Sequence, residues 1–522
     1  MRGIWRKQGT LIVYVALVLL LGCSSQESYE EKQKASDKGQ ADTGSAESTE
    51  ARSEEGVLLV PIAHLTSPRE DITLEELSQE DSLAVPEAAS AAAEALLGSP
   101  DLSLFDFSST VLEYVSQTPG AVGLVPWEEV DPRVKVLRIE GKSLLVPSTG
   151  ETENYPLRFG DPAGPDPKEL RRIVVGGDIV LDRGLPYMVF QQNKGLDFPL
   201  EGGYAAVTGR TLAPNPYSES DLVFQFTAER RGGAGTVQDY LSSADLTLAN
   251  FENPVLENAT WHPEEPTFTG DLRLLSILNN AGIDGVTLGN NHILDAGFEG
   301  MEETLQHLDS AGISHAGAGT DLATAREPMI FDLGGLTVGV LSYQGVPYYE
   351  WAWATQTSPG TAPLKAEVLR EDIEKLKDRV DFVVVMPHWG FEYIATPEPE
   401  QVNLAHAAVD AGADLFVGDH AHWPKGIEVY GSKPVFYGTG NFLFDQSWSE
   451  ETSTGIFAEA VLYKDRVIQA RPVPFIILDR SQPNFLVPEA GGERALQTIF
   501  AASIGPEFDA YNAENSSRKS AE

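Results

Sequence analysis

Cysteine is all but missing from this chain. Cys23 is the single one in 522 residues, so no intrachain disulfide can form. Basic residues are scarce too: 37 Lys and Arg stand against 78 Asp and Glu, a formal net charge of -41. Phosphate backbones are held by Lys and Arg fields, so this balance argues against nucleic acid as a partner. It favours solubility and repulsion from anionic surfaces. Residues 24–56 are poor in apolar side chains, with Tyr29 their one large apolar residue. Such a segment cannot bury enough surface to offset chain entropy and is expected to be a disordered tether. The closing "NAENSSRKSAE" reads in the same way, as a polar tail over 509–522. Between these segments the hydrophobic content is ordinary, and the length predicts two folded units.

What is present begins with a basic "MRGIWRK" and an apolar "LIVYVALVLLLG", the pattern of an export signal. "LLGC", Leu20 to Cys23, resembles a bacterial lipobox. That implies a signal peptide over 1–23, cleavage before Cys23 and lipidation of its thiol. The other reading is an uncleaved anchor with an incidental cysteine. Both place the rest of the chain outside the cytoplasm and attached to the cell membrane.

Residues 57–167 read as a small α/β unit, with strands at "GVLLVPIAHLT" and "KVLRIEG" and a helix in "PEAASAAAEALLG" that ends at Gly98. "PGAVGLVPWEEVDPRVKVLRIEGKSLLVP" resembles part of one lobe of the type 2 periplasmic binding proteins of the phosphate kind. Half a binding fold need not bind, so a structural or docking role is expected ahead of anion binding. The Pro, Gly and Asp rich "GDPAGPDPKEL" (160–170) marks the boundary to a large domain over 168–508.

In that domain β-branched apolar runs alternate with helical patterns such as "GMEETLQHLDSAG" and "PEQVNLAHAAVDAG", which predicts an α/β fold with buried strands. Five runs end on polar groups. "RIVVGGD" reaches Asp178, "ADLTLANFENP" reaches Asn250 and Glu252, and "DGVTLGNNHILDAG" reaches Asn290, Asn291 and His292. "DFVVVMPHWGFEY" reaches His388 and Glu392, and "ADLFVGDHAHW" reaches Asp419, His420 and His422. Sites in α/β sheets gather beyond the carboxyl ends of strands, and carboxylate, amide and imidazole are ligands for divalent ions. One such ending means little; five in the same relation to their strands point to a metal centre.

These stretches, with "VVGGDIVLDRG", "LANFENPV" and "KPVFYGTGNFLFDQ", resemble the CapA family of polyglutamate capsule proteins, related to the calcineurin-like metallophosphoesterases. The resemblance implies a four-layer α-β-β-α metallophosphatase-like sandwich beside the smaller N-terminal domain. It implies Mn, Fe or Zn, as one ion or two, held by Asp178, Glu252, Asn291, His388, His420 and His422, with Glu252 able to bridge. It makes His292 the candidate general acid or transition-state stabiliser, oriented by Asp295. Arg183 is the candidate fork for an anionic group. Asn250, Asp419, Glu392 and Asn441 are placed behind the ligands. Val180 stands where phosphoesterases carry a histidine, and the Asn250-Phe251-Glu252 segment replaces their second aspartate, which costs one ion a ligand. The implied partners are a capsule polymer or small anionic substrate and a membrane capsule-synthesis complex. The implied functions are a metal-dependent hydrolase, a capsule assembly partner with a structural metal or, more weakly, an anion-binding protein.

Other features read more plainly. His64, His307, His315 and His406 are expected to pack or face solvent, and His262 sits in an irregular loop that either lines a mouth or does not. "YGTGNF" (437–442) is a turn between strands or a backbone loop facing an anion. "YYEWAWA" is packing or a substrate platform.

Overall fold

The computed structural model describes residues 56–145, 153–215, 222–263 and 266–519. Cys23, the signal peptide and the tether to residue 55 lie outside the described residues. Among the described residues, no helix is long and apolar enough to cross a membrane.

The strand Val57–His64 is buried at all but its first residue and sits inside a small sheet. From one edge this sheet runs Leu102–Phe105, Leu83–Pro86, Val122–Pro126, Val57–His64 and Val134–Val136. The helix Ser90–Leu97 stops at Gly98, whose φ of 89° is open to glycine. The core of this sheet continues into the rest of the molecule through Leu170, Val461, Tyr463 and Ile468. Trp127 meets Tyr463 edge-on at 4.9 Å, and Arg466 Nη1 donates to the Val130 carbonyl at 2.7 Å. All the described residues belong to one compact unit.

The large body is built on two sheets. The first places Thr454–Tyr463, Leu170–Ile179, Leu246–Phe251, Gly285–Thr287 and Ser314–Ala316 side by side, the last four in parallel. The second carries Thr337–Gly345, Phe382–Trp389, Leu415–Val417 and Lys433–Phe436 in parallel. Side chains alternate across each strand with period two. Ile173 and Val175 join Phe382, Val384 and Met386 in a core between the sheets. Val174 faces the other way, onto Ile277, Leu278, Met301 and Leu308 of the outer helices. Val383 and Val385 face Leu369, Ile373, Leu376 and Ala405. Helix, sheet, sheet and helix thus form four layers, as expected from the sequence.

Two sequence expectations change. The tail expected to be disordered from 509 is helical over Pro506–Lys519. Its polar composition hides two anchors: Phe508 is fully buried and Tyr511 packs on the inter-sheet core. The spacing of "PEQVNLAHAAVDAG" puts Val402, Ala405 and Val409 on one face; on the helix Pro399–Ala411, Ala405 and Ala408 take the buried positions, while Val402 and Val409 are only half-buried.

Candidate metal centre

Strand register brings the polar ends together. Asn441 pairs with Asp178, Asp178 with Asn250, and Asn250 with Thr287. On the second sheet His388 bridges to Asp419. The "GGD" sequence is needed for this approach: a Cβ at Gly177 would lie 1.8 Å from the Gly440 carbonyl oxygen. That same oxygen accepts from the Asp178 N–H at 3.1 Å. "YGTGNF" therefore supports the Asp178 strand with a carbonyl, which replaces the reading of an anion-facing loop.

The loops beyond the strands are bent into uncommon conformations. Arg183, Tyr393, His420 and His422 all have φ between 55° and 90°. Such backbones cost on the order of 1–3 kcal/mol each and persist only where their surroundings fix them. Both histidines of "GDHAH" use this turn to direct Nδ1 inward. His420 Nδ1 lies 3.1 Å from His388 Nε2. His422 Nδ1 lies 2.9 Å from Asn441 Oδ1 and 3.3 Å from Asp178 Oδ2.

Two overlapping triads result: Glu252, His388 and His420, and Asp178, Glu252 and His422, each with its ligand atoms within 4.8 Å of one another. All five residues are at most 3% exposed. His388 Nε2 is 2.8 Å from Asn291 Oδ1, 3.1 Å from His420 Nδ1 and 3.2 Å from Glu252 Oε1. Ligands about 2.0–2.1 Å from a tetrahedral ion sit roughly 3.3 Å apart, and these three separations from His388 Nε2 are near that spacing. Asp178 Oδ2 and both Glu252 oxygens are buried without a hydrogen-bond partner among the described residues. Unpaired buried carboxylate oxygens are costly. Their presence here, facing imidazoles and an amide oxygen, fits a divalent cation.

The electrostatics agree. Burial, reinforced by the charge on Asp178, raises the Glu252 carboxyl to about 8. Burial would raise Asp178 too, but His422, His388 and Asn250 outweigh it and hold that carboxyl below its usual value. Burial lowers His388 to about 4, and burial with the neighbouring imidazoles pushes His420 well below the usual range. His422 goes the other way, to about 9, because Asp178 and Glu252 overcome its burial. Asn250 donates to Asp178 Oδ1 at 2.8 Å and lies 3.0 Å from His388 Nδ1. Asp419 does not touch an imidazole: Thr439 Oγ1 donates to its Oδ1 at 2.6 Å. Burial, then the Asp178 charge, raises its carboxyl well above the usual range.

Beside the ligands runs a wall of rings. His292 packs on Phe268 at 4.6 Å, Phe268 on Phe444 at 5.6 Å, and Phe444 on His422 at 5.4 Å. Asp295 Oδ2 lies 2.8 Å from His292 Nδ1. Arg183 lies over the Phe444 ring at 5.5 Å, with Nε 2.9 Å from Asp445 Oδ1. That pairing was not legible, since 262 positions separate the partners. Glu392 stays half-exposed at the rim, 3.9 Å from His422 Nε2. Tyr348 and Trp351 of "YYEWAWA" are 82% and 64% exposed, while Trp353 Nε1 donates to the Gln344 carbonyl at 3.1 Å. His307 and His315 each contact a carboxylate away from the centre.

Comparison with known proteins places this site in a family. The model described as "Bacterial capsule synthesis protein PGA_cap" matches residues 172–446, which hold every ligand candidate. The chain belongs to the PGA_cap family. Among PGA_cap relatives, the "Capsule biosynthesis protein CapA" of Bacillus anthracis is 33% identical over 228 residues, covering 42% of this chain and 55% of the relative. The "PGA biosynthesis protein CapA" of Bacillus subtilis is 32% identical over 240 residues, covering 45% and 60%. The chain thus spans between half and two thirds of these relatives. Among solved structures, a putative 5'-nucleotidase from Staphylococcus aureus is similar at TM-score 0.35 and 15% identity, over 59% of this chain and 55% of that one.

Proposed function

We propose that the centre is the active site of a divalent-metal hydrolase that cleaves a phosphoester or a γ-linked glutamyl amide during capsule polymer synthesis or processing. The observation that carries the reading is Glu252: it is shared by both triads, with both oxygens buried and without a hydrogen bond among the described residues. A mixed set of imidazole, carboxylate and amide donors suits Mn, Fe or Zn. Asp178, Glu252, Asn291, His388, His420 and His422 would hold one ion or two. When bound, such ions supply Lewis acidity, which acidifies water and offsets negative charge on a substrate oxygen.

The chain's own groups do the rest. Asp295 fixes His292 through Nδ1, which leaves Nε2 to hold or deliver a proton at the leaving atom. The ring wall of Phe268 and Phe444 keeps water from that side of the site. Relatives named for capsule and PGA biosynthesis support a glutamate polymer as substrate class and a membrane capsule-synthesis complex as partner. Cations at the centre offset, locally, the repulsion between such a polymer and a chain of net charge -41. The lipobox-like "LLGC" supports lipidation at Cys23 and an extracytoplasmic, membrane-attached location.

Metal analysis joined to hydrolysis assays on a simple phosphoester and on polyglutamate tests the reading. Wild type is expected to carry one or two divalent ions and to turn over one substrate, and Glu252→Gln to lose both. Equal metal content in the two proteins would sink it. A second reading, a structural ion without turnover in an assembly protein, is supported by the near-complete enclosure of the ligands. It requires that folded, metal-free variants still support polymer formation in cells.

A further inference from the structure

A second imidazole, His262, is held through Asp182 by the segment that carries Phe268 into the ring wall, outside the ligand set. Asp182, four residues past Asp178, is 2% exposed. Its Oδ1 accepts from the backbone N–H of Arg183 at 2.8 Å and of His262 at 3.0 Å. Its Oδ2 accepts from the Thr269 N–H at 2.8 Å and lies 2.7 Å from His262 Nδ1. A carboxylate has about four acceptor positions, and here all four are used. Asp182 is therefore no ligand for a cation; it is a mount. It fixes the His262 ring by Nδ1, as Asp295 fixes His292.

The two mounts share one support. Phe268 donates its N–H to Asp295 Oδ2 at 2.8 Å, and the next residue, Thr269, donates to Asp182. Phe268 also carries its ring into the wall between His292 and Phe444. Two further bonds hold the segment around His262 in place. Trp261 Nε1 donates to the Arg183 carbonyl at 2.9 Å, and Thr269 Oγ1 donates to the Thr260 carbonyl at 2.6 Å. The His262 side chain is 15% exposed, and its Nε2 has no hydrogen-bond partner among the described residues.

We propose that His262 is a substrate-binding residue whose Nε2 hydrogen-bonds an anionic oxygen of the substrate, phosphoryl or carboxylate, beyond the group that meets the metal centre. Asp182 is its positioning residue. The Asp182 that holds His262 also accepts from the backbone of Arg183, whose guanidinium lies over the Phe444 ring of the wall. The inference rests on the hydrolase reading for the existence of an anionic substrate.

Two substitutions separate binding from scaffolding. In His262→Asn the side-chain amide reproduces the Nδ1 donor to Asp182 and removes Nε2. In His262→Gln the amide reaches toward the Nε2 position and gives up the Asp182 bond. Calorimetric titration of the full-length, Mn-loaded protein with inorganic phosphate and with a γ-linked glutamate oligomer reads affinity; thermal unfolding reads the scaffold. His262→Asn is expected to keep its unfolding midpoint and to weaken binding of the preferred probe about tenfold, the value of a hydrogen bond to a charged group. His262→Gln is expected to lose midpoint and keep more affinity than Asn. Asp182→Asn is expected to weaken binding in part. Should His262→Asn fail to fold, the same comparison between His262→Gln and Asp182→Asn decides. Wild-type affinity in His262→Asn, with affinity lost in His292→Ala, overturns this proposal alone. Failure of the wild type to bind either probe overturns the hydrolase reading and this proposal together.

Discussion

Two buried glutamates in one sheet have opposite surroundings. Glu459 is 3% exposed and fully served. Arg471 Nε lies 2.6 Å from Oε1, Arg172 Nη1 lies 3.2 Å from Oε2, and the Tyr240 hydroxyl donates to Oε2 at 2.9 Å. Burial pushes its carboxyl up, yet these partners outweigh that and hold it below the usual value. Glu252 is just as buried, but among the described residues it has no Lys or Arg partner, its nearest ring nitrogen is His388 Nε2 at 3.2 Å from Oε1, and its carboxyl sits at about 8. A chain that pairs one buried carboxylate so thoroughly has not left the other bare through neglect. The difference fits Glu252 as one of the groups that could hold a metal ion.

That contrast can be broken from the Glu459 side. Replacing both Arg172 and Arg471 by Met should leave an unpaired buried charge and cost about 3–5 kcal/mol, read in urea unfolding. From the other side, a divalent ion at a hundredfold its Kd should stabilise wild type by about 2.7 kcal/mol. The same ion should leave Glu252→Gln unmoved, by the same measurement.

The pH dependence of the metal-free protein sharpens the point. A carboxyl at about 8 in the folded chain, and near 4.5 when unfolded, keeps its proton longer in the native state. Its unfavourable contribution is absent below pH 4.5 and grows as pH rises to about 8. In chelator, wild type should lose stability across that window relative to Glu252→Gln, and metal should abolish the difference. The smallest effect belongs to Asp419, whose carboxyl is raised well above its usual range by burial and by the charge on Asp178. Asp419→Asn keeps an acceptor for Thr439 and should shift stability by less than about 1 kcal/mol while metal content holds.

Much of the centre could be read from the sequence because each ligand closes an apolar strand, and parallel strands put their ends on one edge. His292 and Asp295 were legible as neighbours three positions apart. What escaped were partners fixed by tertiary packing: Gly440 against Gly177, Asp445 against Arg183, Thr439 against Asp419 and Asp182 under His262. The C-terminal helix escaped for a related reason. Its composition is polar, and only the fold shows that Phe508 and Tyr511 have a core to enter.

The strand Leu170–Ile179, with Asp178 next to its last residue, begins inside the hydrophobic core of the small sheet. At roughly 3.3 Å per residue it is a rod of about 30 Å, seated in one body and tipped with a ligand in the other. An antibody fragment or small molecule that strains the small sheet therefore has a handle on the metal centre that leaves its mouth open, a target distinct from any competitor of the substrate.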